Sequence, residues 1–473
     1  MNDSFDLGHK LRSRTALGSA RRTERVPVVI VGGGIAGLSA AWRLQKRGFR
    51  DFVLLEMNAE SGGNSRSGEN AVSAYPWAAH YVPVPGPKAV FVRELFEELG
   101  VLQGGVWNER YLCFTPQERL FLHGRWQDGI EPAATLSGKD REQFRKLEDL
   151  LDGYRASGGF QIPMEPGLND ATSKLDRLSF AQWLREQGID SEPVLWYMNY
   201  CCRDDYGALA KDVSAWAGIH YFSSRTASEK GPLTWPEGNG WIFKRLLERV
   251  GAHVRTGQMV MSIEAANNRY RVRAGDTEYS ADAVIFAAPM FLAPYLVADA
   301  PKLPHVEYSP WLTANLTLDR PPAGGGTGQR AWDNVIYGSP SLGYVDATHQ
   351  TLRTHVDRTV WTFYWALVDR SPAEARKLLL ERDWNSWKEV ILSDLERVHP
   401  DIRNCVSRVD IMRMGHAMAR PTPGLMFSQE RRALAKSSGR FRFANSDVSG
   451  FSIFEEAQYR GVTAAEGILR AIG

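Results

Sequence analysis

Residues 26–56 decide how this chain is read. They begin Val26-Pro27-Val28-Val29-Ile30-Val31, continue Gly32-Gly33-Gly34-Ile35-Ala36-Gly37-Leu38, and end Asp51-Phe52-Val53-Leu54-Leu55-Glu56. The first run is short, apolar and β-branched, which predicts a buried strand over 26–31. Leu38, Ala41, Trp42 and Leu44 have the spacing of an amphipathic helix over 38–45, which Gly48 closes. A second apolar strand follows over 51–55, with Glu56 at its end. Strand, glycine turn, helix, strand and acid within about thirty residues form the context that a dinucleotide fingerprint requires. Each glycine has a physical task. Gly32 permits the tight turn, Gly34 lets backbone approach a pyrophosphate, and Gly37 lets the helix pack on the strand. The phosphates sit at the helix N-terminus, where unpaired N–H groups and the macrodipole favour negative charge. Glu56 is placed to accept hydrogen bonds from the adenosine ribose. A merely structural glycine turn would leave Glu56 to chance. The fingerprint does not separate NAD from FAD.

Outward from that stretch, the chain has 473 residues, enough for two to four domains or one large α/β body with an inserted unit. The hydrophobic fraction of 43% and charged fraction of 24% are those of a globular protein and exclude a disordered or collagen-like chain. The net charge of +2 gives no basis for a nucleic-acid partner. No apolar run is long enough to span a bilayer. Cys113, Cys201, Cys202 and Cys405 are too few and scattered for a disulfide framework or a metal centre. The 15 Trp, 16 Tyr and 20 Phe suit large cores or a site for a flat ligand. Residues 1–25 are polar and basic and read as a flexible tail. The cytoplasm is the expected location, with the periplasm the alternative if Arg21-Arg22 belongs to an atypical export signal.

Two further segments separate NAD from FAD. After Glu56 comes Met57-Asn58-Ala59-Glu60-Ser61-Gly62-Gly63-Asn64-Ser65-Arg66-Ser67. Near the C-terminus, Arg440-Phe441-Arg442-Phe443-Ala444-Asn445-Ser446-Asp447 precedes Gly450 and a helix with small residues at Ala457, Gly461, Ala464 and Ala465. Together with Asp282-Ala283-Val284-Ile285-Phe286-Ala287-Ala288-Pro289 and Gly238-Asn239-Gly240-Trp241, these resemble the FAD-dependent amine oxidase superfamily, including its spermidine dehydrogenase-like and protoporphyrinogen oxidase-like members. The resemblance implies an α/β fold: a Rossmann-like FAD-binding domain of the GR2 type, with a discontinuous α+β substrate domain. The FAD domain would comprise 26–90, 235–295 and 425–473, and the substrate domain 91–234 and 296–424. It implies FAD contacts from Gly32, Gly34, Ile35, Ala36, Gly37, Glu56, Gly63, Asn64 and Ser65. Ala79 and His80 would lie beside the isoalloxazine, Val260 at the adenine and Asp447 at the ribityl or pyrophosphate. Ile453 and Phe454 would stand where the last helix points its positive end at the flavin.

The departures from the family pattern matter as much. Asn64 replaces the Arg of the Gly-Gly-Arg signature. Where family oxidases carry a Lys linked through water to the flavin, this chain offers Thr313 or Ala314. The two Tyr of the monoamine oxidase cage become Ala417 and Ile453, with Phe451, Phe454 or Tyr459 as partial replacements. His80 and His416 are the candidate catalytic residues. His416 falls near the family's covalent-flavin Cys, yet a non-covalent flavin is expected. Asp204 and Asp205 are candidate anchors for a cationic substrate. Cys201-Cys202 reads as a helix end or a vicinal disulfide, and Glu455 and Glu456 as acids stabilised by the last helix's macrodipole. The expected activity is oxidation of an amine or polyamine C–N bond by hydride transfer to FAD. A C–C desaturase or protoporphyrinogen-type dehydrogenase and a non-catalytic FAD protein are the alternatives. The partners would be a small-molecule substrate, cationic in the amine reading, and O₂, a quinone or a carrier as electron acceptor. The missing Lys favours dehydrogenase over oxidase behaviour, unless Arg66, Arg420 or a protonated His80 supplies the charge.

Overall fold

The computed structural model describes residues 1, 5–11, 20–225, 231–323, 330–351, 353 and 355–473. It is a mixed α/β fold built on two seven-stranded sheets. At the centre of the first, Arg22–Val31 runs parallel to Phe52–Leu55 on one side and to Thr277–Phe286 on the other. The register places Val29 between Val53 and Val284. Alternation sends Val28 and Ile30 into one apolar layer and Val29 and Val31 into the opposite one. Both faces are therefore covered, which is why this strand reads as a continuous apolar run. Beyond Thr277–Phe286 the sheet turns antiparallel through Arg269–Ala274 and Val260–Ala266.

The first strand opens at Arg22, ahead of the start at Val26 read from the sequence. Arg22 to Val26 pair in register with Thr277 to Ala281, so the end of the basic tail belongs to the sheet. Phe5–Lys10 forms a short helix, and the Arg413 guanidinium lies 4.8 Å from the Phe5 ring centroid. The remaining tail residues 2–4 and 12–19, including Arg12 and Arg14, lie outside the described residues.

The fingerprint helix, Ile35–Lys46, starts directly after Gly34 and is buried along nearly its whole length. Gly48 ends it with φ +81°, and the Phe49 N–H returns to the Leu44 carbonyl at 3.0 Å. Its outer side packs against the last helix, Phe454–Ile472. The approach is so close that a Cβ on Gly461 would collide with the Ala36 carbonyl.

The second sheet runs Val406–Arg420, Glu307–Leu318, Thr359–Ala366, Gly343–Asp346, Asp333–Ile336, Glu118–Leu122 and Arg125–Asp128. A helical layer that includes Gly138–Ala156, Glu192–Tyr206 and Ala215–Ser223 has its own apolar core. Glu192–Tyr206 ends at Gly207, whose φ is +57°. A Cβ there would strike Ser309 and the Trp311 indole, and the Ser309 hydroxyl donates to the Gly207 carbonyl at 2.7 Å. That contact seats the C-terminal turn of the helix, with Asp204 and Asp205, against strand Glu307–Leu318. Cys201 and Cys202 lie on the same helix as buried free thiols. Among the described residues, no helix is long and apolar enough to cross a membrane.

The helix–helix contact yields a stability prediction. Gly461→Val drives a branched side chain into the Ala36 backbone, and overpacking of this kind costs about 1–3 kcal/mol. The urea midpoint of the variant should fall clearly below that of the native protein. An unchanged midpoint would mean that the two helices are free to separate.

Candidate active site

The residues that the sequence places at the flavin converge, in large part, on one cavity of about 780 Å³. Asn64, Ala79, His80, Ala417, Ile453 and Phe454 line it. So do Thr313, Asp204 and Asp205, together with Tyr81, Trp311, Tyr364, Arg225 and Glu455. Local geometry explains how they meet. Gly62 and Gly63 adopt positive φ and start a short turn, Gly63–Ser65, that presents Asn64. The Asn64 amide donates to the Ala417 carbonyl at 2.7 Å, and the Ala79 N–H donates to the Asn64 carbonyl at 2.9 Å. The residue that replaces the signature Arg therefore ties three chain segments around the cavity. Gly238, at φ +59°, lies so close that a Cβ would stand 2.7 Å from His80 Cα. The Asn239 N–H donates to the Ala79 carbonyl at 3.0 Å.

The nucleotide end fits a dinucleotide. A Cβ on Gly34 would meet only Gly63 Cα, at 4.0 Å, so the face of Gly34 where a side chain would project is open, with Gly63 packed close beside it. The fingerprint helix has no side-chain cap at Gly34, and its first intrahelical bond runs from the Leu38 N–H to the Gly34 carbonyl. Helical geometry leaves the N–H groups of Ile35, Ala36 and Gly37 without intrahelical partners. Gly32, at φ +103°, makes the turn. The Glu56 carboxylate closes it: Oε2 accepts from the Gly33 N–H at 2.8 Å, and Oε1 accepts from the Asn58 N–H at 2.8 Å. The Asn58 side-chain amide also donates to Oε1, at 3.0 Å, so Oε2 is the oxygen that retains acceptor capacity for a ribose hydroxyl.

Other candidates lie elsewhere. Val260 is buried opposite Ala274 in the first sheet. Asp447 accepts the Met290 N–H and the Tyr308 hydroxyl, each at 2.8 Å, both on Oδ2. The His416 ring stacks on Phe291 at 4.4 Å and is not part of the cavity lining. Phe451 belongs to the helical core, and Tyr459 stacks on Phe91. Of the proposed cage replacements, only Phe454 reaches the cavity.

Electrostatics set the character of the site. His80 stacks on Tyr364 at 4.6 Å, and burial pushes its pKa down to about 4, only partly opposed by a hydrogen bond to the Ala78 backbone. It is neutral near pH 7 and supplies no cation. Arg66 and Arg420 do not line the cavity, and Arg420 is paired with Glu307 and Asp212. Burial pushes Asp204 up to about 7, reinforced by the neighbouring Asp205 charge. The Tyr81 hydroxyl, 3.4 Å away, and Arg225 oppose the shift. Glu455 is raised to about 7 by the same desolvation. Arg225 lies 3.6 Å from Asp205 and is the cation of the lining.

Glu455 corrects the sequence reading of an acid explained by the helix dipole alone. It is 2% exposed, it faces the cavity, and its Oε2 has no hydrogen-bond partner. Its neighbour Glu456 is equally buried but satisfied, accepting from the Met164 N–H and the Ser449 hydroxyl, each at 2.6 Å. The position of Glu455, two residues beyond Ile453, was the available signal. Arg225, Trp311 and Tyr364 carry no local motif and were missed. Trp311, Thr313 and Asn239 also line the cavity, and their buried Nε1, Oγ1 and Oδ1 have no partners among the described residues. A cavity lined by several unmatched polar atoms is built for a polar ligand.

A family model described as flavin containing amine oxidoreductase matches residues 35–469. The chain belongs to the flavin-containing amine oxidoreductase family. Membership makes FAD its cofactor and the protein an FAD-dependent oxidoreductase. The probable flavin-containing monoamine oxidase A of Dictyostelium discoideum is 23% identical over 281 residues, covering 56% of this chain and 58% of that protein. Putrescine oxidase of Kocuria rosea is 30% identical over 185 residues, covering 38% and 35%. The chain thus spans less than two thirds of those relatives' length. A putrescine oxidase structure with putrescine bound superposes at a TM-score of 0.72 and 19% identity, covering 95% of this chain and 100% of that one, which shows a shared fold.

Two predictions follow from the geometry. An acid whose folded pKa exceeds its unfolded value costs nothing below pH 4, then costs progressively more stability as pH rises towards 7. For Asp204, raised from 3.8 to about 7, the cost above neutrality is at most about 4 kcal/mol. Asp204→Asn should therefore be more stable than the native protein at pH 8 and show no gain at pH 4, as read by urea unfolding at both values. A gain of equal size at both pH values would remove the desolvation argument. Second, with His416 stacked away from the cavity, the flavin should be held without a covalent bond. After denaturation and ultrafiltration the yellow colour should pass through the membrane. Colour retained on the chain but lost in His416→Ala would show the opposite.

Proposed function

We propose that the protein oxidises a C–N bond of an amine to an imine, which water hydrolyses. FAD, when bound, supplies the acceptor for the hydride that leaves the carbon beside nitrogen. On this reading the pyrophosphate lies on the open face of Gly34, against the N–H groups of Ile35, Ala36 and Gly37 that start the helix and the turn at Gly32. Glu56 takes the ribose, and the backbone at Val260 meets the adenine. Ser65, with Gly63 and Asn64, lines the path towards the isoalloxazine, which lies beside Ala79 and His80. Ile453 and Phe454 direct the positive end of the last helix at the flavin. Asp447 contributes through its turn, since its carboxylate already holds Met290 and Tyr308. Segments 26–90, 235–295 and 425–473 would then form the FAD-binding domain, and 91–234 and 296–424 the substrate domain.

The observation that supports the substrate class is the group Asp204, Asp205 and Glu455 around Arg225, the single cation of the lining among the described residues, inside an aromatic-walled cavity. Two carboxyls raised to about 7 are expensive to keep ionised unless a cation accompanies them. An ammonium group supplies that cation, whereas a hydrocarbon substrate leaves both acids uncompensated. Asp204 would hold the ammonium on arrival, while Trp311 and Tyr364 exclude water around it.

Anaerobic mixing of the holoenzyme with a panel of alkylamines and diamines tests this reading. At least one amine should bleach the flavin, and Asp204→Asn should reduce kcat/KM for it by about 10-fold or more, as expected for loss of a charge-assisted contact worth about 1.5–3 kcal/mol. Bleaching by a polyene or tetrapyrrole, and by no amine, would replace the reading with C–C dehydrogenation.

The electron acceptor follows from Thr313. Thr313 lines the cavity at a position that the resemblance matches to a Lys of family oxidases, Ala314 belongs to the apolar core of the sheet, and His80 is neutral. Without a cation there, reaction with O₂ loses electrostatic assistance. Photoreduced enzyme should reoxidise faster with a soluble quinone than in air-saturated buffer. Fast recovery in air with matching hydrogen peroxide would show that Thr313 does not limit the reaction with O₂.

A further inference from the structure

A second cavity, of about 750 Å³, adjoins the first. Pro83, Arg225 and Glu455 line both. Its other walls are the turn at residues 83–89, the segment 155–162 and the end of the helix at Ser223 and Ser224.

The two chambers differ in charge. Asp204 and Asp205 belong only to the first, whereas Lys88 and Arg155 belong only to the second. Among the described residues, Glu455 is the sole acid lining the second chamber, against Lys88, Arg155 and Arg225. Arg155 is braced: its guanidinium donates to the Phe222 carbonyl at 2.8 Å and the Arg225 carbonyl at 3.1 Å, and it pairs with Asp152. Lys88 is exposed. Arg225 faces Asp205 at 3.6 Å; burial disfavours its charge, and the carboxylates of Asp205 and Glu455 favour it.

Unmatched atoms mark the same place. Arg225 Nε and Ser224 Oγ are buried and have no hydrogen-bond partner among the described residues. A guanidinium N–H only donates, so it calls for an acceptor oxygen. A desolvated donor left unpaired costs about 1–3 kcal/mol, which a ligand oxygen would recover. Ammonium groups satisfy neither Arg225 nor the cationic wall. A carboxylate satisfies both, and guanidinium is the side chain best matched to it.

We propose that the second chamber is a subsite for an anionic tail, and that Arg225 is the specificity-determining residue at the junction. The substrate class is then an elongated amine that carries a carboxylate at its far end, an ω-amino acid. Its nitrogen lies in the acidic chamber and its carboxylate at Arg225 and Ser224. This assignment rests on the amine-oxidation reading of the first cavity. It also excludes long polyamines as preferred substrates, because their second ammonium would meet Arg225, Arg155 and Lys88.

The test compares n-alkylamines, α,ω-diamines and ω-amino acids of matched length, from butyl to dodecyl, as anaerobic reductants of the holoenzyme. At the length that spans both chambers, the ω-amino acid should exceed the other two in kcat/KM by about 10-fold, the gain of one charge-assisted hydrogen-bonded contact. The preference should vanish in Arg225→Met and be partly retained in Arg225→Lys. Because removing Arg225 also unbalances Asp205, Ser224→Ala supplies an independent arm. It should weaken binding of the ω-amino acid, read from the flavin difference spectrum, more than binding of the alkylamine. Reduction by plain amines or diamines with no ω-amino acid advantage at any length would overturn the tail assignment and leave amine oxidation standing. Absence of reduction by every amine, ω-amino acids included, would overturn both.

Discussion

One close backbone contact organises the chemistry of this protein. Gly207 ends helix Glu192–Tyr206 in a left-handed conformation and rests on Ser309 and Trp311 with no room for a side chain. Because that approach is possible, the last turn of the helix delivers Asp204 and Asp205 to the cavity that Trp311 and Thr313 also line. The strand meanwhile continues into the core of the second sheet. From the opposite direction, the last helix brings Ile453, Phe454 and Glu455 to the same space. Glycine contacts hold that helix too, since Gly461 lets it lie directly on the fingerprint helix. The fingerprint helix and the acid cluster are thus linked through packed helices and a strand, the kind of support that holds a site's geometry.

The cost of the arrangement is electrostatic. Asp204 and Glu455 are held where their charged forms are disfavoured, and Arg225 compensates only part of the cluster. Such sites trade fold stability for function. The same desolvation that raises the acids lowers His80, so one dry cavity contains acids poised near neutrality and an uncharged imidazole. A ligand with a permanent or readily formed positive charge gains most from that environment.

Much of this was legible in the sequence because the signals are local. The run from Val26 to Glu56 carries its strand, turn, helix and acid in contiguous residues, and the structure forms them with boundaries shifted by a few positions. The family resemblance offered Thr313 or Ala314 for the Lys and Ala417 and Ile453 for the cage; Thr313, Ala417 and Ile453 line the cavity, whereas Ala314 lies in the core of the second sheet. What stayed hidden depends on long-range packing. Arg225 and Tyr364 come from segments far from any motif. Glu455 was interpreted from its helix position, but whether an N-terminal acid faces solvent or a cavity is settled by what packs beside the helix. His416 shows the converse: the family resemblance put it near the site, while its ring stacks on Phe291. The first strand began earlier than its apolar pattern because pairing with Thr277–Phe286 continues into charged residues.

The central claim is that buried, partly protonated carboxyls opposite the flavin are made to ionise by a bound cation. A quaternary alkylammonium tests it most directly, since it carries its charge at every pH and has no proton of its own to lose. Calorimetric titration of the oxidised holoenzyme near pH 6.5, in two buffers of different ionisation enthalpy, counts the protons exchanged on binding. The account predicts net proton release, reduced in Asp204→Asn and reduced further when Glu455→Gln is added. Tight binding with no proton release, or release unchanged in both variants, would contradict it.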